Sequence, residues 1–236
     1  MLPVGAVLVD FDGTACLHDV AEHLLIEFGD PAWPEYDAAV DRGAIGLRTA
    51  IQAQNAMVHA DRATLLAFAR DHCPLDPTFA PFCEWLASHD VAVTLVSDGF
   101  GFYIRPLLED AGLGHLSVIT NQQRWNAVGH PARLDFVSAH PLCVGCGTCK
   151  MQAVQRYQAE HGAVAFVGEG QTDRYGALYA DLVFAKDALP AYCRADGVPF
   201  VAWQDFDDIR LVLETLTETP GPVAPVQCPG WTLASN

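Results

Sequence analysis

Basic residues are scarce in this chain: 13 Lys and Arg stand against 29 Asp and Glu over 236 residues, a formal net charge of -16. A surface of that sign repels the phosphate backbone of nucleic acid, so no nucleic-acid partner is expected. Long apolar runs are missing as well. None approaches the roughly 20 residues that crossing a bilayer requires, and the first residues lack the basic flank and apolar core of a secretory signal. A cytoplasmic protein without a membrane partner is therefore expected. The Gly-x-Ser-x-Gly elbow of Ser-His-Asp hydrolases is absent, and the histidines fall at no spacing that suggests a site. Eight cysteines, unevenly spaced, make no disulfide framework and fit reduced thiols. There is no internal repeat. The length suffices for one core with an insertion or for two small domains.

The stretch around which the rest is arranged is Val7-Leu8-Val9-Asp10-Phe11-Asp12-Gly13-Thr14. An apolar run that ends in two carboxylates reads as a buried strand delivering acids to its C-terminal edge, where open α/β sheets bind ligands. Alternation along a strand points Asp10 and Asp12 to opposite faces, so both serve one site only if the chain turns after Asp10, and Gly13 permits that turn. Standing alone, the octapeptide has a second, lesser reading as a strand that ends in a solvated turn. Three later stretches add other groups: Val96-Ser97-Asp98-Gly99 at a strand end, Cys149-Lys150, and Val167-Gly168-Glu169-Gly170-Gln171-Thr172-Asp173.

Between these stretches the periodicity is uneven. From Asp19 to about His72 no strand is evident, and Val20, His23, Leu24 and Phe28, then Leu65, Leu66, Phe68 and Ala69, recur at helical spacing. The chain then alternates: a helix over 79–89, a strand over 91–96, a helix over 102–111, a strand over 116–120. A polar stretch over 121–140 reads as a loop or hairpin. A helix over 151–161, strands over 163–168, 181–185 and 199–202, and a helix over 206–216 follow. Such alternation implies a parallel sheet with crossovers.

The order and type of the four motifs resemble the haloacid dehalogenase (HAD) superfamily, and more loosely its phosphoserine-phosphatase-like branch and the methionine-salvage phosphatases. The likeness covers about residues 7 to 213. It implies an α/β fold, a HAD-like Rossmannoid doubly wound parallel sheet with a small helical (C1-type) cap inserted after the first strand. The core would be residues 1–15 and 80–218 and the cap 16–79, with an irregular Pro-rich tail over 219–236. By the same likeness Asp10 is the nucleophile that forms an aspartyl-phosphate, and Asp12 is the acid and then the base. Ser97, Asp98 and Lys150 hold the phosphate, with Thr14 supporting the loop or assisting them. Carboxylates around a phosphate demand a cation, and oxygen-only ligands select a hard one. Mg²⁺ is expected on the Asp10 carboxylate, the Asp12 main-chain carbonyl and an acid from Glu169 or Asp173.

The expected partner is a small phosphorylated metabolite, and the oligomeric state is left open, a homodimer included. Asp19 is either a substrate contact or the N-cap of the first cap helix. Arg42 and Arg48 are the cap's candidates for an anionic substrate group, and Phe100 is a pocket wall or a core residue. Cys143, Cys146 and Cys149 repeat the spacing of a metal knuckle that could bind Zn²⁺ or resemble part of an iron–sulfur site, which would need a further ligand such as His140 or Cys228; otherwise they are loop thiols. The rival readings are a phosphotransferase or phosphomutase using the same residues, or a non-catalytic metal- or partner-binding regulatory protein on a HAD fold.

Overall fold

The computed structural model describes residues 2–143, 145–223 and 228. Strand β1 (Ala6–Val9) is buried along its whole length, as an apolar strand covered on both faces must be. Four helices follow it. They are α1 (Val20–Phe28), α2 (Pro34–Asp41), α3 (Leu47–Ala56) and α4 (Arg62–His72). Asp19 caps α1 by accepting from Glu22 N at 2.8 Å, Asp61 caps α4 by accepting from Thr64 N at 2.8 Å, and a proline opens α2 where its missing N–H costs nothing.

The rest of the chain alternates. Its elements are α5 (Phe79–Ser88), β2 (Ala92–Phe100), α6 (Gly101–Asp110), β3 (Ser117–Trp125), β4 (Pro131–Asp135), α7 (Lys150–His161), β5 (Val164–Gly168), α8 (Arg174–Ala177), β6 (Leu182–Ala185), α9 (Leu189–Asp196), β7 (Val201–Ala202) and α10 (Phe206–Thr215). The sheet order is β4-β3-β2-β1-β5-β6-β7, parallel except for β4.

Alternation in the strands splits the core into two layers. Val7, Val9, Leu95, Val167 and Phe184 face Phe82, Ile104 and Ile209 of α5, α6 and α10. Leu8, Val96, Phe166 and Val183 face Val154, Ala177 and Leu189 of α7, α8 and α9. Each fully buried side chain of this size contributes about 1.5–3 kcal/mol by leaving water. Because β2 and β3 lie on one side of β1 and β5 to β7 on the other, the connections diverge beside β1 and leave a crevice at its C-terminal end.

One expectation changes. Strand β2 continues to Phe100, past the expected end at Val96, with a register shift between Val96 and Phe100 that keeps it paired to β3. The polar 121–140 stretch, expected as a loop or hairpin, holds a hairpin in which Gln122 to Trp125 pair antiparallel with Pro131 to Asp135, and the described residues of 136–149 carry no regular element. Residues 219–223 are irregular, and the remainder of the expected tail, Cys228 apart, lies outside the described residues. Among the described residues no helix is long and apolar enough to cross a membrane.

Candidate active site

Asp10 is the first residue past β1, and its N–H still donates to Val167 O at 2.9 Å. The chain then leaves the sheet through a wide turn over Phe11–Ala15, closed by Ala15 N on Asp10 O and Cys16 N on Phe11 O. Gly13 has φ +69° in this turn, a conformation that side chains with a Cβ rarely adopt. The turn brings Asp12 back to the edge that Asp10 occupies. There the Asp12 carboxylate accepts from Val20 N at 3.0 Å, from Ser97 Oγ at 3.2 Å and from the Tyr103 hydroxyl at 2.9 Å. The backbone leaves no room behind it: a Cβ on Gly99 would run into the Tyr103 hydroxyl and the Asp12 carboxylate.

Lys150 opens α7 and turns its side chain under the sheet edge. Its ammonium, 1 % exposed, lies 2.8 Å from Asp10 Oδ1, 2.6 Å from Asp173 Oδ1 and 3.3 Å from Thr172 Oγ1. The other oxygen of Asp173 accepts from Glu169 N at 2.8 Å and Gly170 N at 2.9 Å, which folds the loop after β5 around it. Ser97 Oγ accepts from Gly99 N at 2.8 Å. Asp98 Oδ1 accepts from Thr148 N at 2.6 Å, so the end of β2 holds the loop that leads into Lys150. Thr14 is fully buried, and its Oγ1 and Asp98 Oδ2 make no hydrogen bond among the described residues.

Negative charge is in excess here. Burial pushes Asp12 up to about 8, with Asp19 adding to the rise, and pushes Glu169 up to about 7, with Asp173 and Asp19 adding. Asp10 is raised well above the carboxylate range by burial and then by Asp173, against the pull of Lys150. Burial also raises Asp98 and Asp19. For Lys150 burial opposes the charge, but the Asp10 and Asp173 carboxylates outweigh it and the ammonium is held above its ordinary range. Ligand oxygens of Asp10, Glu169 and Asp173 lie within 4.8 Å of one another. A hard divalent cation fits this all-carboxylate set, which a single ammonium leaves under-neutralised.

A cavity of about 350 Å³ opens above these groups, between the sheet edge and helices α1 to α3. Asp10, Asp12, Asp19, Ser97, Asp98, Phe100 and Glu169 line it, together with Leu24, Leu25, Trp33, Leu47 and Ile51. Asp19 therefore both caps α1 and faces the cavity. The two arginines expected to meet an anionic substrate group do not line this cavity. Arg42 is exposed at the C-terminal end of α2. Arg48 donates to the carbonyls of Cys146 at 3.1 Å, His140 at 3.3 Å and Cys143 at 2.5 Å and lies over the Phe136 ring, so its fork is committed to a loop. Cys143, Cys146 and Cys149 lie away from the large cavity, around a small one shared with Cys228 and His140. Tyr103, which donates to the Asp12 carboxylate, was not singled out from the sequence; its one signal was an aromatic with a hydroxyl directly after the Ser97 strand.

Residues 7–177 match the sequence profile of the haloacid dehalogenase-like hydrolases. The chain belongs to this family. Within the family it is 23% identical over 218 residues to 2-hydroxy-3-keto-5-methylthiopentenyl-1-phosphate phosphatase of Bacillus velezensis, covering 90% of this chain and 91% of that one. It is 25% identical over 213 residues to the bifunctional enzyme MtnB/MtnX of Bacillus licheniformis, of which it spans half. A phosphoserine phosphatase solved as a phospho-aspartyl intermediate analogue superposes with a TM-score of 0.69 at 14% identity, over 91% of this chain and 99% of that one. That likeness is one of fold. The seven-stranded, mostly parallel sheet is thus the HAD-like fold expected from the motifs.

Proposed function

We propose that the chain is a cytoplasmic, Mg²⁺-dependent phosphatase that hydrolyses a small phosphomonoester through an aspartyl-phosphate on Asp10, with α1 to α4 as its cap. One observation carries this reading: Asp12, shifted to about 8, is held by Tyr103, Ser97 and Val20 N at the edge of the cavity that Asp10 also lines. An acid of that strength is protonated at neutral pH and can give its proton to a leaving alkoxide. Asp10 must be ionised to attack. Burial and Asp173 oppose that ionisation; Lys150, 2.8 Å away, favours it, and a divalent cation on the Asp10 carboxylate would favour it further. Asp10, Glu169 and Asp173 would hold Mg²⁺, which supplies charge neutralisation for the incoming phosphate.

The steps follow from these placements. A carboxylate oxygen of Asp10 attacks phosphorus, the ester P–O bond breaks, and the Asp12 proton passes to the departing oxygen. The Asp12 carboxylate then takes a proton from a water that attacks the same phosphorus, and the bond to Asp10 breaks, releasing phosphate. Ser97 and Lys150 are the donors for the phosphoryl oxygens.

The cavity also restricts the substrate. Among the described residues no Lys or Arg lines it, whereas Asp19, Glu22 and Asp37 do, beside Trp33, Ile51 and Phe102. A second anionic group would meet no cation, only carboxylates, apolar walls and the neutral amides of Gln54, Asn55 and Gln123, so a substrate uncharged or cationic away from its phosphate fits better than phosphoserine. The uncharged methylthiopentenyl group in the name of the Bacillus velezensis relative agrees with this. The test is phosphate release with Mg²⁺ from a panel of small phosphomonoesters by native protein and Asp10→Asn. Turnover of uncharged alkyl esters well above phosphoserine, abolished in the variant, is expected. Phosphoserine as the best substrate would overturn the substrate class, and release undiminished in Asp10→Asn would overturn the mechanism.

A further inference from the structure

We propose that Cys143, Cys146, Cys149 and Cys228 form a thiolate site for one soft divalent cation, of which zinc is the natural choice, distinct from the carboxylate cluster around Asp10. The four thiols come from a loop and from a residue 79 positions beyond its last cysteine, yet they line one cavity of about 10 Å³. That volume holds one water-sized occupant and no organic ligand. None of the four is in a disulfide. Four cysteines, three of them spaced Cys-x₂-Cys-x₂-Cys, are the ligand set of a closed tetrahedral zinc site.

Local geometry supports the assignment. Gly145 N donates to Cys143 Sγ at 3.4 Å, the N–H to sulfur contact that steadies a thiolate in a knuckle loop. Cys149 is the N-cap of α7, where the helix dipole favours a thiolate against the burial that pushes its thiol up to about 11 without an ion. A tetrathiolate site is anionic, and the cations Arg48 and Lys150 border the same cavity. Arg48 also clamps the carbonyls of His140, Cys143 and Cys146, which fixes the loop's path from the side of α3. Among the described residues only Asp10, Glu169 and Asp173 bring three ligand atoms within 4.8 Å, so the thiols stand wider than a bound ion would hold them. Binding would therefore draw the four thiols together, with the thiols releasing their protons. The loop ends at Lys150, so an ion here would tie residue 228 to the base of the phosphate-binding lysine.

The proposal is independent of the phosphatase reading and has its own test. Reduced full-length protein is loaded with Zn²⁺, dialysed and assayed for bound zinc, and in parallel titrated with Co²⁺ while the thiolate-to-cobalt charge-transfer band is recorded. Carboxylate ligands give no such band. One zinc per chain and a strong band are expected in native protein and in Asp10→Asn alike, with both lost or greatly weakened in Cys146→Ser and Cys228→Ser. Native protein that retains no zinc and shows no band overturns the site. A band lost in Cys146→Ser but intact in Cys228→Ser overturns the four-thiol assignment.

Discussion

The Tyr103 hydroxyl donates to the Asp12 carboxylate at 2.9 Å across 91 residues of sequence. It does so from the first turn of α6, next to the β2 end that supplies Ser97 as a second donor. The hydrogen bond favours the Asp12 carboxylate, in opposition to burial. A bond to a charged group is worth about 1.5–3 kcal/mol, so Tyr103→Phe is expected to lower kcat by about tenfold to a hundredfold. Losing a donor to the carboxylate raises the Asp12 pKa, so the alkaline limb of the kcat profile should move to higher pH. A Phe variant with native kcat and profile would remove Tyr103 from the site's machinery.

Lys150 is the hinge of the buried charges. Replacing it by Met leaves Asp10 and Asp173 facing one another without a cation, and breaking a buried pair this way costs about 3–5 kcal/mol. For a chain of this size that lowers Tm by on the order of 10 °C. The double variant Lys150→Met with Asp173→Asn should recover part of the loss, because it removes one of the stranded charges. Calorimetry of the native protein, both single variants and the double in EDTA measures the coupling, and purely additive effects would contradict it.

The raised carboxylates make stability depend on pH in a definite direction. Asp12 at about 8 and Glu169 at about 7 exceed their ordinary values of 3.8 and 4.5, so the folded protein binds more protons than the unfolded chain between those limits. By linkage, stability falls as pH rises through that window and levels off above about 8. Mg²⁺ on the Asp10, Glu169 and Asp173 oxygens should reverse the fall, so the Tm gain from adding Mg²⁺ should be larger at pH 8 than at pH 5. Thermal melts with EDTA and with excess Mg²⁺ at both pH values test this. A gain that is equal at both would be the contrary result.

Gly99 offers a steric probe of the same corner. A methyl group there meets the Tyr103 hydroxyl and Asp12 Oδ2, so Gly99→Ala should displace the acid and cost activity while the circular dichroism spectrum stays native. Full activity in Gly99→Ala would mean that the corner yields without consequence.

The fold was legible because its signals are local and repeated. Apolar runs over β1, β2 and β5 are bounded by helices of clear periodicity, and Asp61 at the head of α4 could be recognised as a cap from its position alone. The site was legible to the extent that its groups sit at strand ends: Asp10, Ser97 and Glu169 arrive at one edge because β1, β2 and β5 are neighbours. What was hidden depends on partners remote in sequence. An arginine in a helical insertion has the same local appearance whether it meets a substrate or, like Arg48, three carbonyls some 92 to 98 positions away. Tyr103 looked like one aromatic among Phe100 and Phe102, and only the turn at Gly13 brings Asp12 to it. The 121–140 ribbon lacked the apolar alternation of a half-buried strand because, at Arg124, Arg133 and Asp135, ion pairs at the sheet's edge take its place.

The central claim is that phosphate passes through Asp10 and that Asp12 moves the protons. p-Nitrophenolate leaves without help from an acid, so Asp12→Asn should still phosphorylate Asp10 from p-nitrophenyl phosphate yet fail to activate the hydrolytic water. Stopped-flow absorbance with Mg²⁺ is therefore the decisive measurement. The account predicts a rapid burst of one p-nitrophenolate per chain in Asp12→Asn, followed by slow turnover, with the phosphoryl label on Asp10 and no burst when Asp10→Asn is added. A steady rate without a burst, or a label on any other residue, would contradict it.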